Sequence, residues 1–164
     1  MQSSEVLQKI NERFPGTAEE QPVAWPSGAP KPIVIQRQSL LSVAGFLKNE
    51  LSFENCHCVT AVDRKDQKIE VVYQLYSFAN RVMITLKVIL ERNDLTIETL
   101  SGLWKSANWL ERETFDLFGI KFLNHPDLRR ILNPDEWTDY PLRKDFDRPD
   151  FIRLPQSDGL KTGG

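Results

Sequence analysis

The chain is poor in cysteine, with only Cys56 and Cys58, one on either side of His57. An iron–sulfur cluster held by four thiolates cannot be built from two, so none is expected within this chain. A disulfide between residues so close on one strand would be strained. A structural zinc site wants about four ligands in spaced pairs, and the one other histidine is His125. On a strand, Cys56 and Cys58 share a face, so the reading is two buried thiols. Glycine is also scarce, at eight residues, and these form neither G-x-G-x-x-G nor G-x-x-x-x-G-K. Nucleotide binding by those routes is excluded, and the G-x-S-x-G elbow of serine hydrolases is absent too. Long apolar runs are missing. Val82 to Leu90 is interrupted by Lys87 and falls far short of the ~20 residues a bilayer span needs. The N-terminus has no basic-then-apolar leader pattern. The expectation is a chain that meets a membrane only through partners. Neither charge sign dominates: 21 Lys and Arg face 23 Asp and Glu, for a net charge of -2. A pI near 5.7 argues against a nucleic-acid binder.

What is present reads as a globular chain of 164 residues, 40% hydrophobic and 27% charged, long enough to bury a core. Val6, Leu7, Ile10 and Phe14 predict a short amphipathic N-terminal helix. Seven Pro and Gly residues between 15 and 32 predict a loop or extended connector. Ile33 to Ile35 is a short strand. A helix capped by Ser39 follows, with Leu40, Val43, Ala44, Leu47 and Leu51 at helical spacing. Strands over His57–Asp63, Ile69–Phe78 and Val82–Leu90, joined by short polar turns, make an antiparallel meander. One face of that sheet is apolar and needs helices to cover it. A long helix is predicted from Thr96, as N-cap, to Leu117, stopped by Gly119. Its expected buried stripe is Ile97, Leu100, Leu103, Trp104, Ala107, Leu110, Thr114 and Leu117.

From Phe122 the pattern changes. Prolines recur, and Leu128, Ile131, Leu132, Trp137, Tyr140, Leu142, Phe146, Phe151 and Ile152 follow no period. A disordered tail would lack these aromatics, so the reading is an extended arm that needs a surface to lie on, a neighbour's in preference to its own. The fold class is therefore α+β: an antiparallel β-meander covered by helices, with an extended proline-rich C-terminal docking arm. The globular domain spans 1–121, including the proline-rich loop at 15–32, and the arm spans 122–164.

The densest polar group is Glu111-Arg112-Glu113 with Asp116. Residues two apart on a helix diverge, so Glu111 and Glu113 make a poor acid–base pair. Arg112 and Asp116 are spaced to pair. Trp109, Arg112, Glu113 and Asp116 share a stripe that reads either as a solvated face or as an interface, since Trp and Arg are frequent anchors. His125 reads as a loop residue bonded to backbone or to Asp127. The basic pairs Arg129-Arg130 and Arg143-Lys144 sit among carboxylates and suit fork-like pairing better than phosphate binding. Two other classes compete. One is a hydrolase using Glu111, Glu113 and His125; the other is an RNA-binding module stacking bases on Tyr73, Tyr76 and Phe78.

The run from Trp109 to Ile120 (WLERETFDLFGI), then Asn124 to Leu132 (NHPDLRRIL), then Pro141 to Phe146 (PLRKDF), closely resembles the 30-kDa-type (C/J) subunit family of respiratory complex I. The resemblance is strongest over residues 103–154. Trp104-Lys105-Ser106-Ala107 and Arg148-Pro149-Asp150-Phe151 look like the J branch, found in the photosynthetic complex I of cyanobacteria and chloroplasts. The alternative is the C branch of respiratory NADH:ubiquinone oxidoreductase. The resemblance implies a non-catalytic subunit of the peripheral arm of a quinone-reducing, proton-pumping complex. It implies no cofactor in this chain, with iron–sulfur clusters and plastoquinone held by partner subunits. The implied partners are the hydrogenase-derived H-type subunit and the K and I subunits, with reduced ferredoxin as donor rather than NADH. The implied location is the cytoplasmic or stromal side of the thylakoid membrane. Interface residues expected on this basis are Trp109, Arg112, Glu113, Asp116, His125, Arg129, Arg130, Trp137, Arg143, Lys144 and Phe146.

Overall fold

The computed structural model describes residues 2–21, 31–64 and 68–146. Most of the proline-rich stretch, the Lys65–Gln67 turn and Arg148–Phe151 lie outside them. Helix α1 (Ser3–Arg13) buries Val6 and Ile10, one turn apart. Asn11 ties it to the next element, donating from Nδ2 to the Ala18 carbonyl at 2.9 Å. That element is strand β1 (Ala18–Glu20), which pairs antiparallel with β2 (Ile33–Ile35). The sequence predicts only a loop or connector there. Prolines on both sides mask a short strand whose partner is remote in sequence. A 3₁₀ turn at Arg37–Ser39 leads into α2 (Leu40–Asn49), which buries Leu40, Val43, Ala44 and Leu47. Ser39 takes the N-cap position, but its side chain makes no capping bond.

The meander forms as expected, from β3 (Asn55–Asp63), β4 (Lys68–Ser77) and β5 (Val82–Glu91). The sheet order is β1-β2-β5-β4-β3. β2 joins β5 in parallel while the meander pairs are antiparallel. Val59, Tyr73, Leu86 and Ile33 line up across four strands, and all are buried. Each fully buried Leu or Ile of this row contributes about 1.5–3 kcal/mol. Tyr73 is thus closed to bases, and Tyr76 and Phe78 are of opposite parity and face the other way, so the three rings do not form one stacking platform. The register slips between Cys56 and Cys58. This bulge leaves Cys56 buried but Cys58 only half-buried, correcting the same-face, both-buried reading.

The largest departure concerns residues 96–104. Thr96–Glu98 is strand β6, not the first turn of a helix. It pairs in parallel with β7 (Lys121–Leu123). Between them runs α3 (Lys105–Phe118), making a β-α-β unit. The Gly119 stop is as expected, left-handed at φ 73 with its N–H bonded to the Phe115 carbonyl at 2.8 Å. The buried stripe of α3 and the residue before it is Trp104, Ala107, Glu111, Thr114 and Phe118, spaced three, four, three and four. Leu110 and Leu117 are only half-buried. Preferring leucines over Glu111 rotates the expected stripe by one residue. Among the described residues no helix is long and apolar enough to cross a membrane.

A candidate docking surface on helix α3

Three bonds seat α3 on β3 and the loop before it. Trp104 Nε1 donates to the Phe53 carbonyl at 3.0 Å. Ser106 Oγ donates to the Cys56 carbonyl at 2.9 Å. Thr114 Oγ1 lies 3.2 Å from the Val59 carbonyl. Glu111, fully buried in the same stripe, accepts from the Leu100 N–H at 2.7 Å and from the Thr99 hydroxyl. Glu113 is exposed. The two carboxylates diverge, as helix geometry requires, and the acid–base reading has no geometry to support it.

Asp116 is also fully buried, and it gathers the arm. Its Oδ2 accepts three successive backbone N–H groups, from Ile131 at 3.1 Å, Leu132 at 2.7 Å and Asn133 at 2.9 Å. Its Oδ1 accepts from Arg130 at 2.6 Å and from Asn133 Nδ2 at 2.9 Å. Burial alone would raise its pKa. The Asn133 and Leu132 donors and the Arg130 guanidinium outweigh it and hold the carboxyl well below its usual range. The expected Arg112–Asp116 pair does not form. Arg112 instead donates to the Arg129 carbonyl at 3.2 Å, lies 3.7 Å from Asp127 and stacks over Trp109 at 4.7 Å from the ring centre.

Further along, the Leu142 N–H reaches the Leu117 carbonyl at 3.1 Å, and Arg143 Nε reaches the Phe118 carbonyl at 2.6 Å. Arg143 also covers the Tyr140 ring at 4.4 Å. The Lys144 N–H bonds to Asp63 at 2.9 Å, and Arg92 bridges Asp63 and Asp145. A Cβ at Gly119 would run into the Arg143 guanidinium and meet Tyr140 Cε2 at 2.6 Å. Glycine there serves the left-handed turn and the close packing of the arm at once. Through Phe146, then, the arm lies on its own body. The preference for a neighbour's surface is corrected to that extent, because the polar groups of α3 supply the arm's backbone with acceptors.

The residues expected at an interface differ in where they point. Arg112, Asp116, Arg130 and Arg143 point inward to bonds within the chain. His125 has a buried side chain. Trp137 and Phe146 are half-buried. Trp109, Glu113, Arg129 and Lys144 are exposed. Periodicity reasoning misses Leu132 and Leu142, which are 61% and 51% exposed although each is anchored to α3 through its backbone. Their signal is a large apolar side chain beside a clamped N–H. It misses Asp63, Arg92 and Asn133 as well, since nothing local marks a clasp between distant segments. Among the described residues no group of three or more His, Cys, Asp or Glu could hold a metal ion.

A sequence model of the family described as "Respiratory-chain NADH dehydrogenase, 30 Kd subunit" matches residues 33–151. This chain belongs to that family. The 30-kDa-type match runs from β2 into the arm, as far as residue 151, so the Asp116 clamp lies within it and the Gly16–Glu20 segment does not. The chain is 45% identical over 117 residues to the C subunit of NADH-quinone oxidoreductase from Geobacter sulfurreducens, covering 70% of this chain and 72% of that one. It is 40% identical over 141 residues to the corresponding C subunit from Moorella thermoacetica, covering 85% and 92%. Among solved structures it is similar to a trypsin-resistant fragment of Nqo5, at 27% identity and TM-score 0.64, covering 78% of this chain and all of that one. A chain of an archaeal membrane-bound sulfane sulfur reductase shares the fold at TM-score 0.75 and 24% identity, with 96% of each chain covered. The C/J resemblance is thereby upheld at the level of the family. As a 30-kDa-type subunit, the chain works alongside other subunits of a quinone oxidoreductase complex.

Proposed function

We propose that this chain is a non-catalytic, membrane-peripheral subunit whose α3–arm surface docks a neighbouring subunit. The observation that carries this is the contrast at the arm. Its backbone is clamped by Asp116, while Leu132, Leu142 and Trp109 stay in solvent. A rigid backbone that presents large apolar side chains and an Arg112-backed indole is preorganised for binding. The hydrogenase-derived H-type subunit, with the K and I subunits, is the partner set that fits the family. The iron–sulfur clusters and the quinone would then sit in those partners. The experiment is purification of the complex through a tag on the N-terminus of this chain. Trp109→Ala together with Leu142→Asp should abolish co-purification and leave the melting curve of the free chain unchanged. Undiminished co-purification would refute this surface.

The relatives that carry the C designation favour a respiratory complex that takes electrons from NADH. A second reading, the photosynthetic J branch in a thylakoid membrane, rests on Trp104-Lys105-Ser106-Ala107. It predicts plastoquinone reduction driven by reduced ferredoxin. Assaying the tagged complex with each donor separates the two.

A further inference from the structure

Three acidic side chains are buried among the described residues: Asp63, Asp116 and Glu111. Asp63 faces Arg92 and Asp116 faces Arg130. Glu111 has no such arginine: its bonds go to Thr99 and Leu100, and its neighbour Arg112 turns away to Arg129 and Asp127. The nearest basic group is His125, whose Nε2 lies 3.9 Å from Glu111 Oε2, with both side chains out of solvent. That ring is already committed. Its Nδ1 accepts the Asp127 N–H at 3.1 Å, so the ring proton sits on Nε2, which faces the Asn108 carbonyl at 3.1 Å. A second proton, on Nδ1, would point at the Asp127 N–H. His125 is therefore confined to one neutral tautomer.

The other faces of the site are no more hospitable to charge. β3 presents the Cys56 thiol, and β4 presents the Tyr73 hydroxyl, which is buried without a hydrogen-bond partner among the described residues. Burial first, and a charge on Glu111 second, raise both pKa values, that of Cys56 to about 12. The turn before α3 offers the Thr99 hydroxyl, itself 2.8 Å from Ser101 Oγ, and the Leu100 N–H. These are two neutral donors against the loss of all bulk water.

We propose that Glu111 carries a proton in the folded chain at mildly acidic to neutral pH, making its site an uncharged cluster that loosens the seat of α3 when the proton leaves. Burial pushes the Glu111 carboxyl up to about 7 against the opposing pull of Thr99 and Leu100. The sign follows from linkage. A carboxyl held above its unfolded value of about 4.3 contributes most below that value. Its contribution is lost as pH rises toward the folded value. The inference holds whatever docks on the outside of the helix.

The test is a carbon-13 NMR titration of the full chain with labelled glutamate side chains, the Glu111 signal being assigned through its own backbone. Its midpoint should lie near pH 7. Nitrogen-15 spectra should show His125 as the Nε2–H tautomer across the Glu111 midpoint. In parallel, the melting temperature of the natural chain should fall relative to Glu111→Gln between about pH 4.3 and 7. A Glu111 midpoint in the ordinary range, or a protonated His125 paired with an ionised Glu111, would overturn the proposal. The titration needs no variant, so it stands even if Glu111→Gln fails to fold.

Discussion

Glu111 and Asp116 sit on the same helix and are equally hidden from solvent, yet their surroundings drive their protonation in opposite directions. Asp116 looks toward the arm, where three backbone N–H groups, an amide and Arg130 converge on it. Glu111 looks toward the sheet, where it meets one hydroxyl and one N–H. The difference shows that burial alone does not decide the charge of a carboxylate. The number and charge of the donors delivered to it decide. It also shows two ways to hold one helix: the sheet side by apolar packing around a few neutral bonds, the arm side by an anion wrapped in backbone.

The sharpest way to break this contrast is Asp116→Ala. It strands Arg130 and three N–H groups, and should cost about 3–5 kcal/mol in urea unfolding. Amide exchange at Ile131, Leu132 and Asn133 should quicken most. Unchanged exchange there would show that the clamp does not hold the arm. Gly119→Ala should cost about 1–3 kcal/mol, because the new Cβ meets Tyr140 and Arg143 in a left-handed turn. Thermal melts should show it, and a neutral result would mean the arm gives way at no cost. Thr99→Val removes a donor from Glu111 and should cost about 1 kcal/mol, more at about pH 8, where that carboxyl is charged, than at about pH 5. Equal loss at both values would remove the electrostatic distinction between the two sites. Smallest of all, Leu132→Asp should stay within about 0.5 kcal/mol of the natural chain, since the side chain is already in solvent. The two carboxylates also predict opposite pH limbs. The stability from Asp116 is present above its unfolded value of about 3.9 and lost as pH falls below it. That from Glu111 is lost as pH rises toward 7.

Much of this is legible in residue pattern. The alternation of Ile69, Val71, Tyr73 and Leu75 against Ile84, Leu86, Val88 and Leu90 points to both the meander and its buried face. Gly119 marks the helix end. The start of α3 is not legible, because Thr96, Ile97 and Leu100 fit a capped helix as well as they fit a strand. What chooses the strand is its pairing with Lys121–Leu123, a partner no local pattern reveals. The inward turn of Glu111 is hidden for a related reason. A charged residue in a buried stripe reads as surface until its donors are seen. The interface stripe is half legible. Trp109 and Glu113 do face outward, whereas Arg112 and Asp116 are drawn inward by Arg129, Arg130 and Asn133 on a segment whose path the sequence does not specify.

The bond from the Lys144 N–H to Asp63 joins positions 81 residues apart, and it bears on the order of events during synthesis. The meander can pair as soon as its strands leave the ribosome, because its contacts are close in sequence. The Asp63 carboxylate, with Arg92 beside it, must wait for the Lys144 N–H until residue 144 has emerged. A nascent chain stalled before that point would carry a folded sheet with its last clasp open, and a chaperone or neighbouring subunit would meet that half-fastened form first.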